Sequence, residues 1–212
     1  MRIHICVLIL LMASPAAATV VIECQDVGNW TAELGYDASY EASLVRAFAL
    51  DITVDAGATI ESVSDFKVGE STAADRGYGI FPESFARCLI VDPDTGEVED
   101  WDLPCYTPVA EPTAPGALGG LGTNGITIEM GSLYLGAENA PLSKDSLLRF
   151  RIDPHGAQSV NVSIALNELR GGVVLEDATA AVVSFVGCTI PEPATVLLLG
   201  LGGIVLLKKR GR

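Results

Sequence analysis

The 212-residue chain sets 27 acidic against 13 basic residues, a net charge of −14, with 49% apolar residues, 6% aromatics and 22 glycines. A chain this acidic repels phosphate backbones, which argues against a nucleic-acid partner. Few aromatics and many glycines suit a turn-rich β protein, and the apolar content, concentrated at the two ends, does not make the chain an integral membrane protein.

The N-terminus reads as a signal peptide over residues 1–18. Arg2 supplies the positive start, Ile3 to Met12 the short apolar core, and Ala16, Ala17 and Ala18 a small-residue site for signal peptidase before Thr19. The apolar run is short for a membrane span. Residues 19–190 form one body, and 191–212 a tail. Between Thr19 and Ile190 lie eight basic and 26 acidic residues, so the body alone carries −18.

Period-two alternation predicts strands along this body. They are expected at Val20–Cys24, Thr31–Tyr36, Leu44–Val54, Thr59–Phe66, Ala86–Val91, Ile126–Met130, Leu148–Ile152, Val160–Leu166, Val173–Glu176 and Ala181–Val186. In Leu44–Val54, Phe48, Leu50, Ile52 and Val54 share one face while Asp51 and Thr53 take the other. Turn residues separate the strands at Asp55-Ala56-Gly57, Asp153-Pro154-His155-Gly156 and Gly171-Gly172. Short strands with one apolar face imply an all-β, antiparallel two-sheet sandwich. The stretch Pro104–Asn124, rich in Pro and Gly, has no period and reads as a long connection.

Four cysteines follow the signal peptide, and an even number in an oxidising compartment points to disulfides. Of three connectivities, the favoured one joins Cys88 to Cys105 across a local acidic loop and Cys24 to Cys188 between the first and last strands.

That acidic loop is the candidate metal site. Asp92, Asp94, Glu97 and Glu99 offer the oxygen ligands calcium takes, although Gly96 and Leu103 rule out an EF-hand register. Pro93-Asp94-Thr95-Gly96 is equally an ordinary turn. Calcium is therefore the one candidate cofactor beside the alternative of none. Trp101 and Tyr106, flanking the same loop, are the candidate sugar-stacking pair within a wider set of aromatics that includes Trp30, Tyr36 and Tyr40. No catalytic constellation stands out. The two histidines are His4, in the signal peptide, and His155, in a turn, and no Gly-x-Ser-x-Gly occurs. The chain is read as not an enzyme.

Pro191-Glu192-Pro193 precedes an apolar run over 194–207 and a basic end, Lys208-Lys209-Arg210-Gly211-Arg212. As a helix that run would reach about 21 Å, short of the roughly 30 Å of a hydrocarbon core, so it can insert transiently but anchors poorly. Motif, apolar helix and basic end, on a chain with an N-terminal signal, resemble the PEP-CTERM sorting signal. The resemblance implies cleavage by an exosortase near Pro191, Glu192 and Pro193, then release or attachment to the cell surface or extracellular polysaccharide. Leu44–Asp55 followed by Thr59–Val68, and Ser146–Ile152 followed by Ser159–Leu166, are similar to strand pairs of cohesin-type jelly-roll sandwiches, which implies a non-catalytic binding module. The expectation is an exported structural or adhesive β-sandwich between a signal helix and a sorting helix. A carbohydrate-binding module of the same fold is the alternative, and a secreted glycoside hydrolase comes third.

Overall fold

The computed structural model describes residues 20–67, 79–80, 89–92, 94–95, 98–101, 107–132 and 140–192, and the backbone alone at 79–80, 89–91 and 98–101. The signal segment 1–18, Cys88, Glu97, Cys105, Tyr106 and the tail from Pro193 onward lie outside the described residues. The strands are β1 (Val20–Gly28), β2 (Thr31–Asp37), β3 (Val45–Val54), β4 (Thr59–Ser64), β5 (Gly79–Ile80), β6 (Leu89–Val91), β7 (Val98–Trp101), β8 (Gly125–Gly131), β9 (Lys144–Asp153), β10 (Ser159–Leu166), β11 (Val173–Leu175), β12 (Val183–Val186) and β13 (Cys188–Pro191). One 3₁₀ turn, Glu168–Arg170, follows β10.

Two sheets face each other. One has the order β12-β1-β2-β9-β4; the other runs β13-β10-β3-β8-β5, with β11 also on β3. A separate hairpin pairs β6 with β7. The chain is thus an all-β two-sheet sandwich. Among the described residues, all pairings but one are antiparallel: β1 and β12 run parallel, Val20 beside Val183. A parallel pair needs a long crossover, and here the intervening body supplies it.

Alternation explains which residues face inward. Leu34 and Tyr36 on β2, Phe150 and Ile152 on β9, and Val160 and Val162 on β10 are buried, and their neighbours along each strand are not. Tyr36 and Phe48 meet across the core, ring centroids 5.2 Å apart. The Tyr36 hydroxyl donates to the Leu142 carbonyl, so the buried ring keeps a polar partner. A register shift between Leu34 and Gly35 leaves Leu147 opposite no residue of β2, and both Leu147 and Leu148 are buried there. Two-residue turns close two connections: Asn29 and Trp30 (φ 53° and 59°) between β1 and β2, and Ala56 and Gly57 (φ 56° and 77°) between β3 and β4.

β8 departs from expectation. Its sequence reads as half-buried, yet Thr127 and Glu129, on the outward face, are also buried. Residues 108–110 run beside β8 at its edge, Val109 opposite Ile128, and residues 115–118 lie over that outward face. Glu129 N–H donates to Pro108 O (2.8 Å), Ala110 N–H to Thr127 O (2.9 Å), and Leu118 N–H to Thr127 Oγ1 (2.9 Å). The segment without periodicity is a strap laid along the sheet. Its turn at Gly120 (φ +84°) tolerates no side chain, since a Cβ there would lie 2.7 Å from Pro112 Cγ.

Beneath the strap sits a buried polar network. Asp51 Oδ1 accepts from Thr127 Oγ1 (2.6 Å) and Asn167 Nδ2 (2.9 Å), and Asn167 Nδ2 also donates to Gly116 O (2.7 Å). Arg170 Nε pairs with Glu129 Oε1, and Arg170 Nη1 donates to Pro115 O (3.1 Å). Side-chain exposure of Arg170 and Glu129 is 8% and 4%.

The outer face of the β1-β2-β9-β4 layer carries paired charges instead. Arg149 bridges Glu33 and Asp65, Arg151 meets Glu61, and Lys144 holds Asp37 at 3.0 Å. Hydrogen bonds from the Ser39 hydroxyl and backbone N–H, then from Lys144, lower the Asp37 pKa from 3.8 to about 2. A lowered folded pKa gives stability that is present above the unfolded value and lost as pH falls through the folded one. Thermal melts between pH 5 and 2 are therefore expected to show a midpoint falling from about pH 4 downward, with a smaller fall in Asp37→Asn. Equal falls in both proteins would remove Asp37 as a cause.

Candidate functional site

The end of the fold and the start of the tail are one structure. β13 pairs with β10 in the register Cys188–Val162, Thr189–Asn161, Ile190–Val160 and Pro191–Ser159. Ile190 is fully buried. Pro191 can close this strand because an edge position spares it a ladder N–H. One residue further, Glu192 N–H still donates to Gln158 O at 2.7 Å. The first two residues of Pro191-Glu192-Pro193 are thus held by the sheet, and Pro193 lies outside the described residues.

Side chains reinforce this junction. Thr189 Oγ1 donates to Asn161 Oδ1 (2.7 Å), and Asn161 donates through its backbone N–H and its Nδ2 to the Asp55 carboxylate, both at 2.7 Å. Those two bonds, the backbone one foremost, lower the Asp55 pKa. At the start of β13, Cys188 is joined to Cys24 of β1, with Cα atoms 5.3 Å apart. The bridge links the two sheets and ties positions 164 residues apart. Between β12 and β13 the chain passes from one sheet to the other at Gly187, where a Cβ would lie 2.5 Å from Val162 O. Glycine is required there by that close approach.

The other candidate residues fare unevenly. Asp92 is described, and its Oδ1 is taken by the backbone N–H groups of Asp94 (2.7 Å) and Thr95 (3.3 Å), which also lower its pKa. Asp94 is exposed. Glu99 and Trp101 fall on β7, where only the backbone is described. Among the described residues, no three His, Cys, Asp or Glu side chains gather to hold a metal. Tyr36 belongs to the core, whereas Tyr40 is 85% exposed. His155 lies between Thr59 (Oγ1 to Nε2, 3.2 Å) and Asp153 (Oδ2 to Nδ1, 3.5 Å). This row is about half exposed, and the Asp153–His155 distance exceeds a hydrogen bond able to fix a tautomer.

One groove opens on the outer face of the β1-β2-β9 layer. About 220 Å³ in volume, it is lined by Glu23, Gln25, Glu33, Gly35, Lys144, Asp145 and Ser146. It exists because Gly35, between Glu23 and Ser146 in the ladder, projects no side chain. Sequence alternation marks these positions as outward-facing but does not mark a gap among them.

The tail defines the class of chain. The family model of the PEP-CTERM protein-sorting motif matches residues 189–212, beginning inside β13. This match implies an exported protein that an exosortase processes, with a transient stay in the membrane. No curated protein sequence matches the chain. Among solved structures, the body is similar to cohesin modules. A non-cellulosomal cohesin from the archaeon Archaeoglobus fulgidus is 11% identical, with a TM-score of 0.41 over 82% of this chain and 91% of that one. A cohesin from Clostridium acetobutylicum is 15% identical, with a TM-score of 0.41 over 84% and 92%. A type III cohesin from a cell-surface anchoring scaffoldin of Ruminococcus flavefaciens is 13% identical, with a TM-score of 0.39 over 84% and 89%.

Proposed function

We infer that the mature protein is a non-catalytic sandwich displayed at the cell surface or in the extracellular matrix, where it serves a structural or adhesive role. The observation carrying this reading is the junction: the folded body runs without a linker into the sorting motif, and a disulfide secures the last strand beside it. Removing the tail beyond Pro193 leaves every pairing of β13 in place. A strongly acidic surface keeps such a body soluble and self-repelling outside the cell.

Intact mass of the protein recovered from the producing cell tests the processing. The expected species begins near Thr19 and lacks Lys208–Arg212. A species retaining that basic end would overturn exosortase processing.

A further inference from the structure

The ends of the sandwich are not equivalent. The 55–58 turn joins the end of β3 to the start of β4, and Thr59 there pairs with Asp153 at the end of β9. Asp55 also binds Asn161, beside the Ser159–Pro191 pair. The chain therefore leaves the sheet toward its tail at the end of the body that holds Asp153. Lys144 and Asp37 pair at the opposite end of β9 and β2, about 30 Å away along β9 at strand rise. Whatever holds the C-terminus, the Lys144 end points away from it.

That far end carries an exposed aromatic beside a polar groove. Tyr40 follows β2 with 85% of its surface exposed, and Leu142, half exposed, lies just before β9. The two connections are clipped together, since Ala38 N–H donates to Ser143 O at 2.7 Å. Below this rim the groove offers donors and acceptors together: the Gln25 amide, the Ser146 hydroxyl, the Lys144 ammonium, and the Glu23 and Asp145 carboxylates. A ring face next to mixed donors and acceptors matches a ligand with an apolar face and a rim of hydroxyls. Of the three carboxylates lining the groove, Glu33 pairs with Arg149 and Asp145 with Lys67, so the groove has little net charge of its own, while the −18 of the body repels a polyanion.

We propose that the rim of Tyr40 and Leu142, with the groove behind it, is a binding site for an uncharged polysaccharide. The ring of Tyr40 stacks on one sugar face, Asp145 and Ser146 engage hydroxyls of the following unit, and Gln25, about 13 Å down the ladder from the Asp37 row, those of a later one. The site deepens the adhesive reading of the body and rests on it. It faces away from the membrane side of the tail.

Affinity electrophoresis of the full chain in mild detergent tests this, with dextran, galactomannan and a mixed-linkage β-glucan as neutral probes and alginate as the anionic one. Retardation by at least one neutral polymer is expected, with none by alginate. Tyr40→Ala should weaken that binding at least tenfold, and the pair Gln25→Ala with Ser146→Ala should weaken it severalfold. Thermal midpoints of both variants should match the parent, because the side chains removed are at the surface. Failure of all three neutral polymers to retard the parent, or unchanged binding by Tyr40→Ala, overturns the proposal. Protease shaving of intact producing cells reports surface display separately, so a displayed protein that binds no neutral glycan leaves display standing and removes this site.

Discussion

Replacing both cysteines of the inter-sheet bridge, Cys24→Ser with Cys188→Ser, is expected to lower the unfolding free energy of the body by about 3–5 kcal/mol. The closed loop spans 164 residues, nearly the whole body, and chain entropy alone assigns such a loop roughly 5 kcal/mol. For a body of this size that is a fall in midpoint on the order of 10 °C. Both cysteines are changed together so that no lone thiol remains to pair elsewhere. Loss should be greatest at β13. This strand is four residues long and lies at a sheet edge beside β10, so without the bridge the buried Ile190, four residue pairs with β10 and the Thr189–Asn161 bond hold it. Hydrogen exchange should show the Ile190 and Glu192 amides losing protection in the variant ahead of those in β2 and β9. A midpoint equal to the parent's, with β13 still protected, would mean the strand is self-sufficient and the bridge redundant.

The same geometry bears on a chain held by its C-terminus. Tension applied at Glu192 falls first on the short β13–β10 pairing. The bridge passes that tension at Cys188 to β1, an interior strand flanked by β2 and β12. Gly187 and the disulfide thus sit where edge strand and interior strand are coupled. Any side chain at Gly187 would push against Val162 O and separate them.

Much of this architecture is legible in the residues themselves. β2, β9 and β10 announce themselves because one face of each meets core and the other meets water, which is the condition alternation encodes. β3 alternates as well, although on its outer face Ala49 is buried and Asp51 half-buried. β8 shows the limit. Thr127 and Glu129 look like solvent-facing residues, and the preceding strap with Asp51 and Arg170 encloses them. That strap has no period because its backbone hydrogen bonds change partner along its length, from β8 at Val109 to turns of its own at 111–117 and to Ile60 at 122–123. β13 escapes for another reason. Cys188-Thr189-Ile190-Pro191 holds one buried aliphatic residue and ends in a proline, so its pairing depends on β10 rather than on its own pattern. The parallel contact of β1 with β12 joins the two ends of the body, which no local pattern records. Tyr40 and Tyr36 lie four residues apart and look alike as aromatics. The strand ends between them, and that places one ring in the core and the other in solvent.

Breaking the ion pair beneath the strap should produce an effect as large as losing the disulfide. Arg170→Met leaves the Glu129 carboxylate enclosed without its guanidinium, and removing one partner of a buried pair costs about 3–5 kcal/mol. The loss has two parts. One is the desolvated charge itself; the other is the strap, which also loses the bond from Arg170 Nη1 to Pro115 O. The double replacement Arg170→Met with Glu129→Met separates them. It removes both charges at similar volume, and such exchanges are often neutral or stabilising. Recovery of most of the lost stability in the double variant is therefore expected, read by urea melts of all four proteins in a mutant cycle. Asn167→Ala supplies the contrast, since it frees Gly116 O, one bond to Asp51 and the cap that Asn167 Oδ1 gives Arg170 N–H, but removes neither charge of the ion pair. Its cost should be smaller, about 1–3 kcal/mol for the polar groups it leaves unsatisfied. Should Arg170→Met alone cost less than Asn167→Ala, the strap would be held by its neutral hydrogen bonds and the buried pair would contribute little.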